Sequence, residues 1–538
     1  MAVRRLTPYS FEPKAATNRP FRSSDIRTIY GYPSASTVPV VAGVVSLGGT
    51  LTGTIDANGF LTGGDIQAYW TSLGMTSQPR VKIIRLNGSA FDPTDSLSTA
   101  ENTLDVEMLG ACCPTSNLTI LFYYYNQYTA PQNIDTFYSL FNYAINTPVS
   151  LPGRGLVKPS VISCSWGAPE NLFSATELSR YDTLFASGAA AGITITTAAG
   201  DTGSHNGQSF PVADFPTSSP NVISCGGTTL VCPNMDSSGN FIHTGATETT
   251  WSFSSQTGLG TGGGISKYFR GPPYPTTQTS FRQVPDVSLV ANPNTGVSFL
   301  INGTSQVMGG TSIVAPAIAG LIACLPLASK GFLKRLYALP LNAFHDTVSG
   351  QNGQYSAAVG YDNCTGRGSV NGSVFVPAYI SQVAITGVPV ITGPLNVERN
   401  STRQLSSSAP VWWVSSNPVV ASVSDTGLVS GLTLGTTTIS AYTIYGFFQT
   451  SVTFTVTGPV TVVRVSIQPN GSSVSSIIIR RNRSLQVYSS VSPVSWTTTN
   501  SSLFTVTNGV VQSRGRVGIG ILRATSGQLS ATVQIRVI

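Results

Sequence analysis

The chain has 538 residues, 41 % of them hydrophobic and only 9 % charged, which allows roughly three to four domains and is too apolar for a disordered polymer. Its net charge of +7 at pH 7 comes mainly from arginine. The cations read as scattered apart from Arg4, Arg5, Arg19, Arg22 and Arg27, and without a basic run interleaved with aromatics, nucleic-acid binding is not expected. No run of about 18 apolar residues is present to span a membrane. The seven cysteines, odd in number and without a CxxC pair, argue against a dense disulfide framework or a zinc cluster.

From about residue 25 to 375, apolar runs alternate with helical periodicity. Strands are expected at Val38–Leu47, Val81–Leu86, Leu118–Tyr124, Ser160–Ser165 and Gly192–Ala198, each a short buried-type run. Helices are expected at Thr62–Leu73, Thr99–Leu109, Asn133–Ala144 and Ala175–Ala190, with a small-residue helix over Ala315–Leu325. That alternation predicts a mainly parallel sheet with helices on both faces and a site at the carboxyl ends of its strands. After about residue 380 the helical period vanishes and the sequence repeats. Trp413-Val-Ser-Ser-Asn417-Pro, followed by Val423-Ser-Asp-Thr-Gly427, has a counterpart in Trp496-Thr-Thr-Thr-Asn500-Ser, followed by Val506-Thr-Asn-Gly509. Each copy ends in a strand pair, Gly435–Tyr442 with Thr450–Val456 and Gly518–Ala524 with Ala531–Val537. Short strands around a tryptophan predict two immunoglobulin-like sandwiches, and both copies resemble the bacterial immunoglobulin-like group 2 domain. The expected organisation is an N-terminal arm at 1–23, an α/β domain at 24–378, and sandwiches at 379–458 and 459–538.

The chemistry centres on Gly309-Gly310-Thr311-Ser312, a glycine turn that delivers a serine to the start of a helix, where backbone N–H groups can steady an oxyanion. A serine needs a base, yet none of the three histidines, His205, His243 and His345, sits in a glycine-rich catalytic context. Glu101 and Asp105, four residues apart on a predicted helix, project from one face and cannot ionise independently. They read either as a proton-accepting pair or as an ordinary acidic face. Asp201, between Gly200 and Thr202 after an apolar strand, reads either as a turn residue or as a neutral carboxyl that donates to an oxyanion.

Taken in order, these segments resemble the sedolisin family of serine-carboxyl peptidases, its kumamolisin-like members above all. The resemblance also rests on Leu47-Gly48-Gly49, Ser163-x-Ser-Trp166-Gly167-x-x-Glu170, Glu248-x-x-Trp251, Gly262-Gly-Gly-x-Ser266 and Pro285-Asp286-Val-Ser288. It implies a subtilisin-like fold and acid-active hydrolysis of protein substrates through an acyl-enzyme. It makes Ser312 the nucleophile and Glu101 the general base. Asp105 is then the proton-sharing partner, Asp201 the oxyanion donor, and Trp166 and Gly263 lie at the substrate cleft. It further implies one calcium ion held by carboxylates of Asp346 and Asp362 and carbonyls of Thr347, Ala358 and Gly360. Three features depart from the family pattern: a short segment before the mature-like start, Ser46 where kumamolisin-like members carry a glutamate, and the paired sandwiches without an export signal. They motivate a second hypothesis, a structural or attachment protein of a virion or surface built on a sedolisin-like scaffold. The sandwiches would then bind a surface, particle or polysaccharide. Either way, an extracellular or particle-associated location is expected.

Overall fold

The site is carried by an eight-stranded sheet in the computed structural model, which describes residues 19–126, 128, 135–271, 280–325, 332–382, 390–408, 411–424, 426–443, 449–458, 461–465, 474–489, 494–526 and 529–538. Its strands are β1 (Val40–Leu47), β2 (Arg80–Arg85), β3 (Leu118–Tyr125), β4 (Val161–Cys164), β5 (Thr194–Ala198), β6 (Ile223–Val231), β7 (Thr247–Thr250) and β8 (Val287–Val290). The spatial order is β7-β6-β5-β4-β1-β3-β2, with β8 also on β6, and every pairing is parallel except β6 with β7. The chain leaves β1 toward one edge and returns to its other side at β4, a reversal that opens a crevice at the carboxyl ends of β1 and β4.

The principal helices are α1 (Gly64–Ser72), α2 (Ser96–Cys112), α3 (Thr136–Asn146), α4 (Ala175–Ala190), α5 (Val314–Cys324) and α6 (Gly372–Gln382). The expected start of α3 at Asn133 lies outside the described residues. All eight residues of β1 are buried because helices cover both faces. Val40, Ala42 and Val44 join a core with Leu104 and Leu109 of α2 and Ile318 and Ile322 of α5. Val41 and Val45 join another with Phe141 of α3 and Phe185 of α4, as the two-residue strand period requires. Helix α5 is buried at every position. It approaches α2 so closely that a Cβ on Gly320 would lie 2.4 Å from Cys112 Cβ, which is why small residues dominate its sequence.

The folded part reaches further at both ends than the expected 24–378. Phe21 and Arg22 pair in parallel with Val297 and Ser298, and Arg19 grips Asp25 at 2.6 Å. Arg4 and Arg5 lie outside the described residues, while α6 continues to Gln382.

The C-terminal repeats form two units of similar strand order. In the first, 396–398, 449–457, 435–443 and 411–415 form one sheet and 402–404, 428–431 and 421–423 another. Trp413, Val429, Ile439 and Phe454 are buried between them. In the second, 474–479, 529–537, 518–526 and 495–498 form one sheet and 461–465, 484–489, 510–513 and 504–507 the other, enclosing Val487, Phe504, Leu522 and Ile535.

Candidate active site

Ser312 lies in the turn that leads into α5. Gly310 has φ +116°, and a Cβ there would sit 2.8 Å from Asp201 Oδ2, so only glycine lets the carboxyl approach. Thr311 N donates to Asp201 Oδ1 at 2.7 Å and Ile313 N to the Gly310 carbonyl at 3.1 Å. Val314 N and Ala315 N both donate to the Thr311 carbonyl. Among the described residues, Ser312 N is then the one amide from 310 to 315 that donates to no acceptor. It is an open donor beside the serine's own hydroxyl. Ser312 exposes none of its surface, and its Oγ makes no well-aligned hydrogen bond.

Facing it, α2 buries both Glu101 and Asp105, as the four-residue spacing predicts. Asp105 Oδ1 accepts from Ser165 Oγ at 2.7 Å. Glu101 Oε1 is buried without a partner, while the hydroxyls of Ser312 and Ser165 lie close enough to favour its ionised form. Burial dominates all the same and pushes the Glu101 carboxyl up to about 8, with the Asp201 charge adding to the rise. Asp105 is raised well above the carboxylate range, by burial and then by the charge of Glu101. No cation contributes to either effect, so the pair sheds its first proton reluctantly and its second far more so.

Asp201 follows β5, as expected, but its carboxyl is not spent on its own turn. Oδ1 accepts from Thr311 N and, at 2.8 Å, from Thr311 Oγ1. The same hydroxyl receives Gly200 N at 3.1 Å. These bonds lower the pKa, burial outweighs them, and the carboxyl is raised to about 6. The structure thus brings Ser312, Glu101, Asp105 and Asp201 to one end of the sheet. His243 and His345 are elsewhere, their rings stacked 3.6 Å apart beside Glu248.

Trp166, two residues beyond β4, and Gly263 are both buried. Gly263 has φ +149°, and a Cβ there would lie 2.2 Å from the Asn363 carbonyl oxygen, so the position is suited to glycine. At Ser46 the hydroxyl donates to Asn102 Oδ1, and Asn102 Nδ2 donates to the Gly48 carbonyl at 2.9 Å. A neutral pair fills the place beside Glu101 on α2. Two residues without an assigned role in the sequence reading prove central here: Ser165, which braces Asp105, and Thr311, which clamps Asp201. Their signal was position alone, a polar residue at a strand's carboxyl end and one preceding the serine.

The expected cation ligands lie in one loop. Asp362 accepts from Ala358 N, Cys364 N and Thr365 N at 2.8–3.0 Å, and Asp346 accepts from Gly360 N at 2.8 Å. Thr347 Oγ1 is buried without a partner. Among the described residues the carbonyls of Thr347, Ala358 and Gly360 accept no hydrogen bond. No three His, Cys, Asp or Glu side chains gather there as a metal cluster among the described residues, so a cation would take most of its ligands from carbonyl oxygens. Two carboxylates with three open carbonyls fit a hard cation such as calcium.

A serine at a helix start beside buried carboxyl groups, on a parallel sheet of this order, defines a subtilisin-like domain. Residues 148–333 match the subtilase family model, and residues 395–454 match the bacterial Ig-like domain (group 2). Kumamolisin from Bacillus sp. (strain MN-32) is 35 % identical over 328 residues, covering 56 % of this chain and 54 % of that protein. Sedolisin from Pseudomonas sp. (strain 101) is 28 % identical over 383 residues, covering 66 % and 61 % respectively. The solved Pseudomonas sedolisin, a serine-carboxyl proteinase complexed with two molecules of pseudo-iodotyrostatin, matches with a TM-score of 0.55 at 27 % identity, over 68 % of this chain and 99 % of that one. The chain therefore spans between half and two thirds of the length of these curated relatives. It carries a subtilase domain whose relatives include kumamolisin and sedolisin, and a C-terminal bacterial Ig-like domain (group 2).

Proposed function

We propose that the chain is a serine-carboxyl endopeptidase that cleaves protein substrates through an acyl-enzyme on Ser312. The observation that carries this reading is the conjunction at Ser312: an unpaired hydroxyl, an unpaired Glu101 oxygen and an open Ser312 N–H, with Asp201 clamped alongside. The Oγ of Ser312 attacks the peptide carbonyl carbon as its proton passes to Glu101, which Asp105 and Ser165 hold in place. The oxyanion is met by Ser312 N–H and the protonated carboxyl of Asp201. Glu101 returns the proton to the leaving amine, and water, deprotonated by the same group, releases the acyl chain.

The competent ionisation has Glu101 charged and Asp201 neutral. Asp201 loses its proton near 6, so activity falls as pH rises through that value. The Asp201 charge itself raises Glu101; with Asp201 neutral that repulsion is gone and Glu101 ionises more readily. The working state is the one in which Glu101 carries the charge while Asp201 keeps its proton, and it is lost as pH rises through about 6. Asp346, Asp362 and the carbonyls of Thr347, Ala358 and Gly360 would hold a calcium ion whose role is to rigidify the loop. The functional units are the peptidase, ending by Gln382, and two sandwiches divided near residue 458, placed outside the cytosol or on a particle.

An unfolded protein substrate incubated across pH 3–7 tests the assignment. Cleavage confined to acid and abolished by Ser312→Ala and Glu101→Ala is expected. Undiminished cleavage by Ser312→Ala, or none at any pH, overturns it in favour of a scaffold.

A further inference from the structure

The cations are not scattered. Residues 459–538 contain eight arginines and no lysine, aspartate or glutamate, so the second sandwich alone exceeds the net charge of the whole chain, +7. Arg480, Arg481, Arg483, Arg514, Arg516, Arg523 and Arg536 are all exposed. With no acidic side chain in the unit, nothing within it neutralises them.

Five of these arginines share one end of the sandwich. Ser513 Oγ donates to the carbonyls of Arg480 and Arg483, at 2.7 and 2.8 Å, and Arg483 N donates back to it at 2.9 Å. These bonds lock the 480–483 loop to the 514–516 loop, and Arg481 N reaches the Ile538 carbonyl at 2.9 Å. Apolar side chains stand among them. Val517 is 63 % exposed, Ile478 61 % and Ile519 53 %. Arg536 is paired in register with both Ile478 and Ile519, so guanidinium and isoleucine alternate across the outer sheet face. Of the aromatic rings of this unit whose burial is described, Phe504 is buried and Trp496 half-buried.

We propose that this end of the second sandwich docks the protein onto an anionic lipid surface. The guanidinium forks take headgroup phosphates and carboxylates, while Val517, Ile519 and Ile478 enter the boundary between headgroups and acyl chains. A single-stranded nucleic acid would call for aromatic stacking platforms, and the loops 480–483 and 513–519 contain no aromatic residue. A duplex or an acidic polysaccharide would use the arginines and leave the exposed isoleucines without a role.

The test is flotation of the full-length Ser312→Ala chain with vesicles of phosphatidylcholine alone or with about a third phosphatidylglycerol. Binding is expected only to the anionic vesicles and should weaken with salt. Replacing Arg480, Arg481 and Arg483 by glutamine should lower partitioning about a hundredfold, at roughly fivefold per arginine. Val517→Ser with Ile519→Ser should weaken vesicle binding but leave retention on heparin or duplex DNA unchanged; unaltered melting temperatures show that the variants are folded. Failure to bind anionic vesicles, equal binding to neutral ones, or tighter binding to heparin or DNA with no effect of the serine variants overturns the proposal.

Discussion

Introducing Asp201→Asn into a Ser312→Ala background gives a direct measure of how the site strains against ionisation. The substituted amide keeps an oxygen to receive Thr311 N and Oγ1 and does not titrate. In the native protein Asp201 is held near 6 rather than its ordinary 3.8. The folded state therefore binds the proton more tightly than the unfolded chain. Stability from this group is full below the unfolded value and is lost as pH rises through about 4 to 6. The difference corresponds to roughly 3 kcal/mol once both states are ionised. Glu101, raised from 4.5 to about 8, adds a loss of the same sign over a higher window. Urea titrations of the two proteins at pH 4 and pH 7, with calcium in excess, measure this. The Ser312→Ala chain should lose stability between the two pH values, and the double variant should lose about 3 kcal/mol less. Contributions from the sandwiches cancel in the comparison. An unchanged pH dependence in the double variant, or a native site more stable at pH 7 than at pH 4, would refute the claim that Asp201 is held neutral by burial.

Other perturbations probe neighbouring links. Thr311→Val removes a hydroxyl that favours the Asp201 carboxylate, so the alkaline limb of kcat/KM against pH should move upward; a downward move would contradict the clamp. Gly320→Ala drives a Cβ to within 2.4 Å of Cys112 and should cost about 1–3 kcal/mol in urea unfolding. Because it wedges the serine helix from the carboxylate helix, it should also lower kcat more than it raises KM. Chelating calcium, or Asp362→Asn, should lower the melting temperature of the Ser312→Ala chain, with chelator having no further effect on the variant; insensitivity to chelator would remove the cation from the 346–362 loop.

Much of this protein is legible along the chain because its signals are local. The runs at Val40–Leu47 and Leu118–Tyr125 are buried on both faces and announce parallel strands. The four-residue spacing of Glu101 and Asp105 is a property of any helix, and the tryptophan repeat announces two similar sandwiches. The family resemblance added the roles. What the chain order could not reveal depends on residues far apart in sequence meeting in space. Asp201 could be told from a turn residue only once Thr311 folded across to it, 110 positions away. The brace from Ser165 to Asp105 spans 60 positions, and the Ser46–Asn102 pair spans 56. The arginines of the last sandwich illustrate the same division. Their number is written in the sequence, but two loops some thirty residues apart become one cationic face only when Ser513 joins them. Sequence determined the elements, because periodicity and turn chemistry act over a few residues. Tertiary structure decided the protonation of the carboxyls and the grouping of the charges, because burial and Coulomb forces act through space and take no account of distance along the chain.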